Sequence, residues 1–384
     1  MSLRQSNFLQ MKILFSTDQI YLHGGIEKVM AEKANYLVRE FGYDVIILTT
    51  EQKGFPGCYP LDDTIKLIDI GIEYDRNSSY LSGVNLKKTI KHYKELNKVL
   101  ANNKPDVVIS VNYAFDFYWL PFIFRKIAKF KEFHSSRFFV NEARNNNKSL
   151  LKKLKYKLDD YIESKFDKLI LLNKDEKPFY HSQNLIVIPN PITPTSLQAP
   201  LENKKAIAAG RIAPVKGFEN LIAAWSKVVE KHPDWILEIY GQDYLDSQQK
   251  LQQQIESLGL KDKIIFAGTT NAMRETMYNH SMYLMTSQSE CFPMVLLESL
   301  SVGLPIVSFD SPTGPRNIVT NNEDGFLVEY SNIDALAQKI IFLISEKQQR
   351  MDFGMKAKAN SKRFSPEIVM LQWKQLLLGI KHSV

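Results

Sequence analysis

The sequence contains only two cysteines among 384 residues, Cys58 and Cys291, and they lie far apart with no histidine paired to either. A disulfide framework and the usual zinc-binding spacings are therefore excluded. No apolar run approaches the roughly 18 to 20 residues that a membrane-spanning helix needs, and no charged then apolar leader resembles a secretion signal. We therefore expect a cytoplasmic protein.

The net positive charge lies entirely in the first half of the chain. Residues 1–200 hold 29 Lys and Arg against 22 Asp and Glu, whereas residues 201–384 hold 20 of each. Two segments, Phe124 to Arg137 and Lys148 to Leu158, interleave lysines with apolar residues at helical spacing. Such helices can lie on an anionic membrane surface, or they are merely solvated basic faces. Nucleic acid is not expected as a partner, because no nucleic-acid-binding signature accompanies the charge.

Short apolar strands alternate with amphipathic helices along the whole chain, a pattern typical of parallel sheets covered on both faces. The pattern occurs twice, and 44% hydrophobic residues suffice for two cores. The predicted strands are Lys12 to Thr17, Asp44 to Thr50, Ile65 to Ile70, Asp106 to Val111, Lys168 to Asn173, Ala206 to Arg211, Trp235 to Gly241, Lys263 to Gly268, Met282 to Ser287 and Leu304 to Asp310. The sequence thus predicts an α/β protein of two Rossmann-like domains with parallel sheets that face a central cleft.

The triplet Pro189 to Pro191 fixes an extended backbone and marks a linker. We therefore expect an N-terminal domain over residues 11–190 and a C-terminal domain over 191–364. Residues 365–384 form a further amphipathic helix that carries Trp373 and that we place as crossing back to the first domain. Residues 1–10 precede a second methionine and are expected to be an extension.

Two loops at the ends of predicted strands have the composition of phosphate or sugar sites. Gly24 and Gly25 precede an amphipathic helix, where glycines let the backbone approach a ligand at the helix N-terminus. Arg211 leaves its strand directly, and Lys216 follows just before another helix, so two cations can converge on a diphosphate. A simple turn is the alternative explanation for the glycine pair. His134, after a short apolar run, is either structural or part of a site.

Glu290 and Glu298 lie eight residues apart around a predicted helix start. Cys291, Phe292 and Pro293 predict a loop, and the apolar run that follows predicts a helix. Glu290 would precede this helix and Glu298 would lie about one turn inside it, which suits an anionic ligand rich in hydroxyl groups. Two solvated surface carboxylates are the alternative.

These motifs, taken in order, resemble the family 4 retaining glycosyltransferases, which have the GT-B fold. The residues that carry the resemblance are GRIAPVKGFENLI from Gly210, the two glutamates in SECFPMVLLES from Ser289, GLPIVSFD from Gly303, EDGFLV from Glu323 and HGGIEKV from His23. The resemblance covers the chain from Met11. The sequence departs from the family pattern at Cys291, where glycine is usual, and at Asn317, where many relatives carry glutamate.

The resemblance implies a role for each candidate residue. Arg211 and Lys216 would hold the donor diphosphate, Glu298 the ribose hydroxyls and Glu290 the hydroxyls of the donor sugar. Gly24 and Gly25 would approach the phosphate and the sugar, and His134 would lie beside the reacting sugar. The backbone of Cys291 to Pro293 would border the same donor site.

The predicted activity is transfer of a hexose or N-acetylhexosamine from a nucleotide-diphosphate sugar, most simply a UDP-sugar, to a glycan or lipid-linked acceptor in surface polysaccharide synthesis. The sequence contains no Asp-x-Asp motif, so we expect neither a metal nor a cofactor. A peripheral position on the inner face of the membrane is a separate hypothesis. Two alternatives stay open: a nucleotide-sugar epimerase or hydrolase of the same fold, and a catalytically silent sugar-nucleotide-binding subunit.

Overall fold

The computed structural model describes residues 10–78, 82–111 and 115–381. These residues form two compact units. Unit 1 comprises the chain up to Pro191 together with the segment from Pro366 onwards, and unit 2 comprises Ile192 to Ser365.

Unit 1 is built on a seven-stranded parallel sheet in the order β3-β2-β1-β4-β5-β6-β7. Its strands are β1 (Lys12–Thr17), β2 (Asp44–Thr49), β3 (Lys66–Asp69), β4 (Val107–Val111), β5 (Ala128–Glu132), β6 (Lys168–Leu171) and β7 (Leu185–Val187). Its helices are α1 (Gly25–Arg39), α2 (Gly83–Asn103), α3 (Phe138–Asn146), α4 (Leu150–Glu163) and, from the end of the chain, α11 (Pro366–Lys381).

The central strand β1 of unit 1 is buried on both faces because each face of the sheet carries its own core. Ile13 and Phe15 belong to one buried cluster, and Leu14 between them belongs to the other. This is the period of two expected of a strand. The first cluster also includes Trp373 and Leu377, so α11 completes the core of unit 1 although it comes last in sequence.

Unit 2 contains a six-stranded parallel sheet in the order β10-β9-β8-β11-β12-β13. Its strands are β8 (Lys205–Ala209), β9 (Ile236–Tyr240), β10 (Ile264–Phe266), β11 (Met282–Met285), β12 (Ile306–Phe309) and β13 (Gly325–Val328). Its helices are α5 (Phe218–Lys231), α6 (Ser247–Ser257), α7 (Met273–Tyr278), α8 (Met294–Ser301), α9 (Ile333–Ser345) and α10 (Lys347–Ser361). The prediction of an α/β protein with two Rossmann-like parallel sheets is confirmed.

The strand orders place one switch point in each sheet. In unit 1 the chain turns from one side of the sheet to the other between β1 and β4, and in unit 2 between β8 and β11. Neighbouring crossovers diverge at such a point and leave a crevice at the carboxyl ends of the two strands. The loops after β1, β8 and β11 contain Gly24, Arg211 and Glu290 respectively, so the candidate residues follow switch-point strands.

The segment from Phe124 to Arg137 is not the basic helix that its lysine spacing predicted. It contains β5, in which Lys129 and Lys131 are 2% and 0% exposed. Lys131 donates to the Ser110 hydroxyl at 3.1 Å, and Lys129 donates to the backbone oxygen of Phe124 at 2.8 Å. Burial lowers the pKa of both lysines to about 8. The membrane prediction is therefore wrong for this segment, because it contains a strand and two of its three lysines, Lys129 and Lys131, are enclosed in the unit rather than presented to a lipid surface.

The segment from Lys148 to Leu158 does form a helix, since α4 spans most of it. Within the described parts of the chain, no helix is both long enough and apolar enough to cross a bilayer.

Candidate donor site in unit 2 and polar cluster in unit 1

The loop after β8 holds Lys216 against Glu290. The ammonium Nζ lies 2.6 Å from Glu290 Oε1, and the two side chains are 22% and 14% exposed. A Cβ atom on Gly210 would lie 3.1 Å from Lys216 Cε, so the glycine leaves room for the lysine side chain. The structure thus brings together two predicted site residues that are 74 positions apart in sequence.

Backbone contacts fix this loop to the segment after β11. Gln288 donates its amide to the Val215 oxygen at 2.8 Å, and the Thr286 hydroxyl donates to the Lys216 oxygen at 3.2 Å. Gly217 begins α5 with φ of +61°, and a Cβ atom there would lie 2.3 Å from the Thr286 oxygen. Only glycine satisfies both the left-handed backbone and the close approach.

We expect Gly217→Ala to destabilise unit 2 by more than about 1 kcal/mol, because alanine is strained at this φ and its methyl group meets the Thr286 oxygen. Gly259→Ala is the matched control, since Gly259 has φ of +64° and its added Cβ would meet no atom within 4 Å. Urea denaturation of the two variants measures the difference. Equal losses would show that the close approach contributes nothing beyond backbone strain.

Glu290 is held from both sides by the loop that follows β12. The Glu290 backbone amide donates to the Pro312 backbone oxygen at 2.9 Å. The Glu290 backbone oxygen accepts from the backbone amides of Thr313 and Gly314 at 2.8 and 2.7 Å. A Cβ atom on Gly314 would lie 2.8 Å from the Glu290 oxygen, so the glycine permits this contact. The glutamate backbone is therefore fixed while its carboxylate reaches Lys216.

The three residues after Glu290 position the helix rather than expose polar groups. Cys291 and Phe292 are 4% and 6% exposed, and the Phe292 ring lies edge-on to Phe364 at 5.5 Å. Pro293 is the N-cap of α8, in which Glu298 is the fifth residue and only 5% exposed. The predicted loop and helix start are confirmed. Asn317, the second departure from the family pattern, donates its side-chain amide to the Thr313 oxygen at 2.9 Å.

Tyr283 was not identified from the sequence, yet it connects the two strands at the switch point of unit 2. From β11 its hydroxyl donates to the Ala209 oxygen at 2.9 Å and accepts from the Ala209 amide at 3.2 Å. Burial strongly raises the Tyr283 pKa, and the nearby charges of Glu290 and Glu298 raise it further. The phenol therefore stays neutral and fixes the end of β8, two residues before Arg211.

Arg211 is exposed, and its guanidinium lies 4.7 Å from the centre of the Tyr244 ring. Among the described residues it forms no salt bridge. Arg316, which follows the Gly314 turn, is instead paired with Asp310 at 2.7 and 2.8 Å. Of these two arginines, only Arg211 is available to an anionic ligand without breaking a bidentate carboxylate pair.

In unit 1 the Glu27 carboxylate lies beside Gly24, and Glu27 was not among the site residues predicted from the sequence. A Cβ atom on Gly24 would lie 2.3 Å from Glu27 Oε2, and Glu27 Oε1 accepts from the Gln19 amide at 2.7 Å. Burial raises the Glu27 pKa, against hydrogen bonds that lower it. An acidic residue two positions after the pair was the available signal. The carboxylate makes the start of α1 better suited to hydroxyl groups than to a phosphate.

An open cavity borders this loop at the ends of β1 and β2. Three of its six polar lining residues are acidic, and Arg76 bridges two of the carboxylates, lying 2.9 Å from Asp18 and in contact with Glu51. The lining residues are Thr17, Asp18, Gln19, Leu22, Glu27, Glu51 and Arg76. Carboxylates and an arginine around a cavity can accept and donate hydrogen bonds to a hydroxyl-rich molecule.

His134 follows β5 by two residues and contacts a buried ion pair. Its Nε2 lies 3.3 Å from Glu132 Oε1, and the same carboxylate accepts a hydrogen bond from Lys33 of α1. The Lys33 ammonium lies 4.9 Å from the centre of the Trp373 ring of α11. Lys33 and Glu132 are 2% and 1% exposed. The His134 side chain therefore packs against the interior of unit 1, although the sequence indicated no partner for it.

Across the described residues, no group of three or more histidines, cysteines or carboxylates has the arrangement of a metal site. The charges that converge after β8 and β11 are those of Lys216 and Glu290, with Arg211 close in sequence.

Comparison with known proteins gives a family match over part of the chain. Residues 191–360 match the family described as Glycosyl transferases group 1. An "Uncharacterized glycosyltransferase" of Haemophilus influenzae is 28% identical over 95% of this chain and 99% of its own length. The "Amylovoran biosynthesis glycosyltransferase AmsD" of Erwinia amylovora is 26% identical over 55% of this chain and 62% of its own length.

Among solved structures, the pneumococcal O-GlcNAc transferase GtfA in complex with UDP and GlcNAc matches with a TM-score of 0.77 and 15% identity, over 97% of this chain and 100% of that chain. The fold is thereby shown to be GT-B. The family match and the relatives support a glycosyltransferase and do not favour the epimerase, hydrolase or silent-subunit alternatives.

Proposed function

We propose that the chain is a family 4, retaining, metal-independent hexosyltransferase that moves a hexose or N-acetylhexosamine from a UDP-sugar to a glycan or lipid-linked acceptor of surface polysaccharide. The observation that carries this proposal is Lys216, a cation placed by a glycine-supported loop at the switch point of unit 2 and 2.6 Å from Glu290. The UDP in the GtfA complex and the amylovoran role of AmsD support the choice of nucleotide and of product class.

The donor is proposed to bind unit 2 through its diphosphate. Arg211 and Lys216 supply positive charge. The Lys216 ammonium would contact the diphosphate and the Glu290 carboxylate at the same time. Glu290 would then bind hydroxyls of the donor sugar, and Glu298, one turn into α8, the ribose hydroxyls. Gly24 and Gly25 remain candidates for contact with the donor sugar. The backbone of Cys291 to Pro293 is proposed to border the donor.

The chemistry requires stabilisation of a departing diphosphate. As the glycosidic bond to the nucleotide breaks, negative charge grows on the diphosphate and positive charge on the anomeric carbon. Two fixed cations oriented toward the leaving group lower this barrier without reorganisation. We propose that Arg211 and Lys216 take the part that a metal ion has in other transferases.

Retention is proposed to follow a front-face displacement in which the leaving phosphate helps deprotonate the acceptor. His134 would lie beside the reacting sugar and help orient it. The Glu132 carboxylate, which Lys33 holds in place, lies 3.3 Å from His134 Nε2 and would restrain the imidazole ring during the reaction.

The acceptor is proposed to bind the cavity of unit 1 lined by Asp18, Glu51 and Arg76. Glu27 adds a third carboxylate to the lining. The three carboxylates accept hydrogen bonds from sugar hydroxyls, and the Arg76 guanidinium donates them. Such a polar lining suits a glycan and not a purely apolar substrate.

A thermal-shift panel of UDP, GDP, ADP and TDP in EDTA tests this function on the native protein and on Glu298→Ala and Lys216→Ala. A ligand at about 100 times its Kd adds roughly 2.7 kcal/mol of stability. We expect UDP to raise the melting temperature of the native protein and of neither variant. A subsequent UDP-sugar assay should release UDP faster when acceptor is present.

Stabilisation by none of the nucleotides, with or without added magnesium, would contradict the donor site. Stabilisation that survives in both variants would move the nucleotide away from Lys216 and Glu298. Sugar release that does not depend on acceptor would indicate a hydrolase instead.

A further inference from the structure

One face of α4 is apolar and exposed. Its members, called here the leucine face, are Leu150, Leu151, Leu154, Leu158 and Tyr161, which are 72%, 79%, 54%, 49% and 53% exposed. At 3.6 residues per turn they fall within an arc of about 100° on the helix. Leucines this exposed are not part of the core of unit 1. A contiguous exposed apolar face of this kind marks an interaction surface.

The helix is attached to unit 1 mainly at its C-terminal end. Its buried residues are Ile162 and Glu163, and Glu163 accepts a hydrogen bond from Arg137 at 2.9 Å. Arg144 of α3 pairs with Asp160 at 2.6 Å. The first three turns of α4 are left to present the leucine face outward.

The apolar surface continues beyond the helix. The Phe122 ring, 38% exposed, stacks on Tyr161 with ring centres 6.3 Å apart. Phe122 thus extends the leucine face with an exposed aromatic ring, the kind of side chain that partially inserts into an interface.

Basic residues dominate the charge beside the leucine face. Residues 144–157 contain six basic residues, Arg144, Lys148, Lys152, Lys153, Lys155 and Lys157, and no acidic one. On the helix, Lys153 and Lys157 flank one edge of the leucine face. Lys155 lies at the other edge and pairs with Asp159 at 2.7 Å. All three lysines are exposed. Lysines at the margins of an apolar stripe can reach anionic headgroups while the stripe enters the acyl boundary.

We propose that α4 is a docking surface for an anionic lipid bilayer, with the leucine face buried in the interface and its flanking lysines on the headgroups. A second copy of this chain is disfavoured, because two such faces would bring like charges together. Nucleic acid would use the lysines and leave the leucines in water. The proposal is independent of the donor site, which lies in unit 2.

Flotation with vesicles tests it, using phosphatidylcholine alone and phosphatidylcholine mixed with phosphatidylglycerol, at 150 mM and 1 M salt. We expect the whole protein to bind the mixed vesicles, and less at high salt. Lys153→Gln/Lys157→Gln should weaken binding about thirtyfold, since each lysine near the surface contributes about a factor of five. Leu150→Ser/Leu151→Ser/Leu154→Ser should weaken it at least tenfold by removing the inserted groups.

Matched controls lie in unit 2. Lys250→Gln/Lys261→Gln removes the same charge from exposed positions, and Leu258→Ser/Met355→Ser removes side chains that are 45% and 60% exposed. Both should bind as the native protein does. UDP-induced thermal stabilisation, or the circular dichroism spectrum if no nucleotide binds, confirms that each variant is folded.

Three results would overturn the proposal. The folded native protein could fail to bind the mixed vesicles, or the control pairs could lower binding as much as the α4 variants do. Light scattering could instead show a dimer that the leucine variant dissociates, which would assign the face to a second copy.

Discussion

Glu132→Ala is expected to lower the free energy of unfolding of unit 1 by about 3 to 5 kcal/mol. The substitution leaves the Lys33 ammonium, 2% exposed, without its carboxylate partner. The ring of Trp373 remains beside the ammonium, but an aromatic face replaces only a small part of a lost charge. Urea denaturation monitored by far-ultraviolet circular dichroism measures the loss.

Two further variants identify its cause. Lys33→Met/Glu132→Leu removes both charges at similar volume and should recover most of the stability, because the main cost lies in an unpaired buried charge. Glu95→Ala breaks an exposed pair of unit 1, 3.9 Å from Lys98, and should change stability by less than about 1 kcal/mol. A double variant no more stable than Glu132→Ala would show that packing, and not charge, explains the effect.

Acid should remove the same contribution in the native protein. Burial alone would raise the Glu132 pKa, but Lys33 and His134 lower it to about 2. Since the folded-state pKa lies below the unfolded value, the contribution is complete above pH 4.5 and is lost as the pH falls toward 2. The difference in stability between the native protein and Glu132→Gln should therefore narrow over this range. A difference that stays constant would contradict the pairing.

Strands with apolar residues on both faces could be predicted from the sequence. The strand Lys12 to Thr17 was predicted with the bounds it has, because buried parallel strands form short apolar runs between glycines and polar turns. β5 was missed for a physical reason. Lys129 and Lys131 are charged residues that a core strand rarely buries, and the sequence does not reveal that Ser110 and the Phe124 oxygen compensate their burial.

In the candidate site too, features set by neighbouring residues in sequence could be predicted, whereas contacts between distant residues could not. Glycine and proline signals placed Lys216 and Glu290 in loops. The sequence predicted parallel sheets but not which strands are neighbours within them. That the two residues meet at 2.6 Å depends on β8 and β11 being neighbours, which is a property of the sheet order. Tyr283 and Glu132 carry no loop signal, since both lie in strands, so only the structure identifies them.

Lys216→Ala is expected to lower the rate of UDP release from the proposed donor by about 10² to 10³, the loss typical of removing one preorganised group that stabilises transition-state charge. Gly217 and the Thr286 hydroxyl fix the Lys216 backbone, and Glu290 holds the ammonium at 2.6 Å, before any ligand arrives, so the charge requires little reorganisation as the diphosphate departs. The variant also leaves Glu290 without its cation, and that uncompensated carboxylate would repel the leaving group.

Lys205→Ala is the matched control for this variant. Lys205 begins β8 and lies 2.7 Å from Glu238, so the two lysines have similar glutamate pairs at opposite ends of the same strand. Only Lys216 lies at the carboxyl end, where ligands bind parallel sheets. Lys205→Ala should therefore keep the native rate to within about twofold, because Lys205 lies away from the proposed diphosphate and the buried Glu238 keeps its contacts with Tyr240 and His280. Equal losses in both variants would mean that Lys216 supports the fold of unit 2 and does not act on the diphosphate.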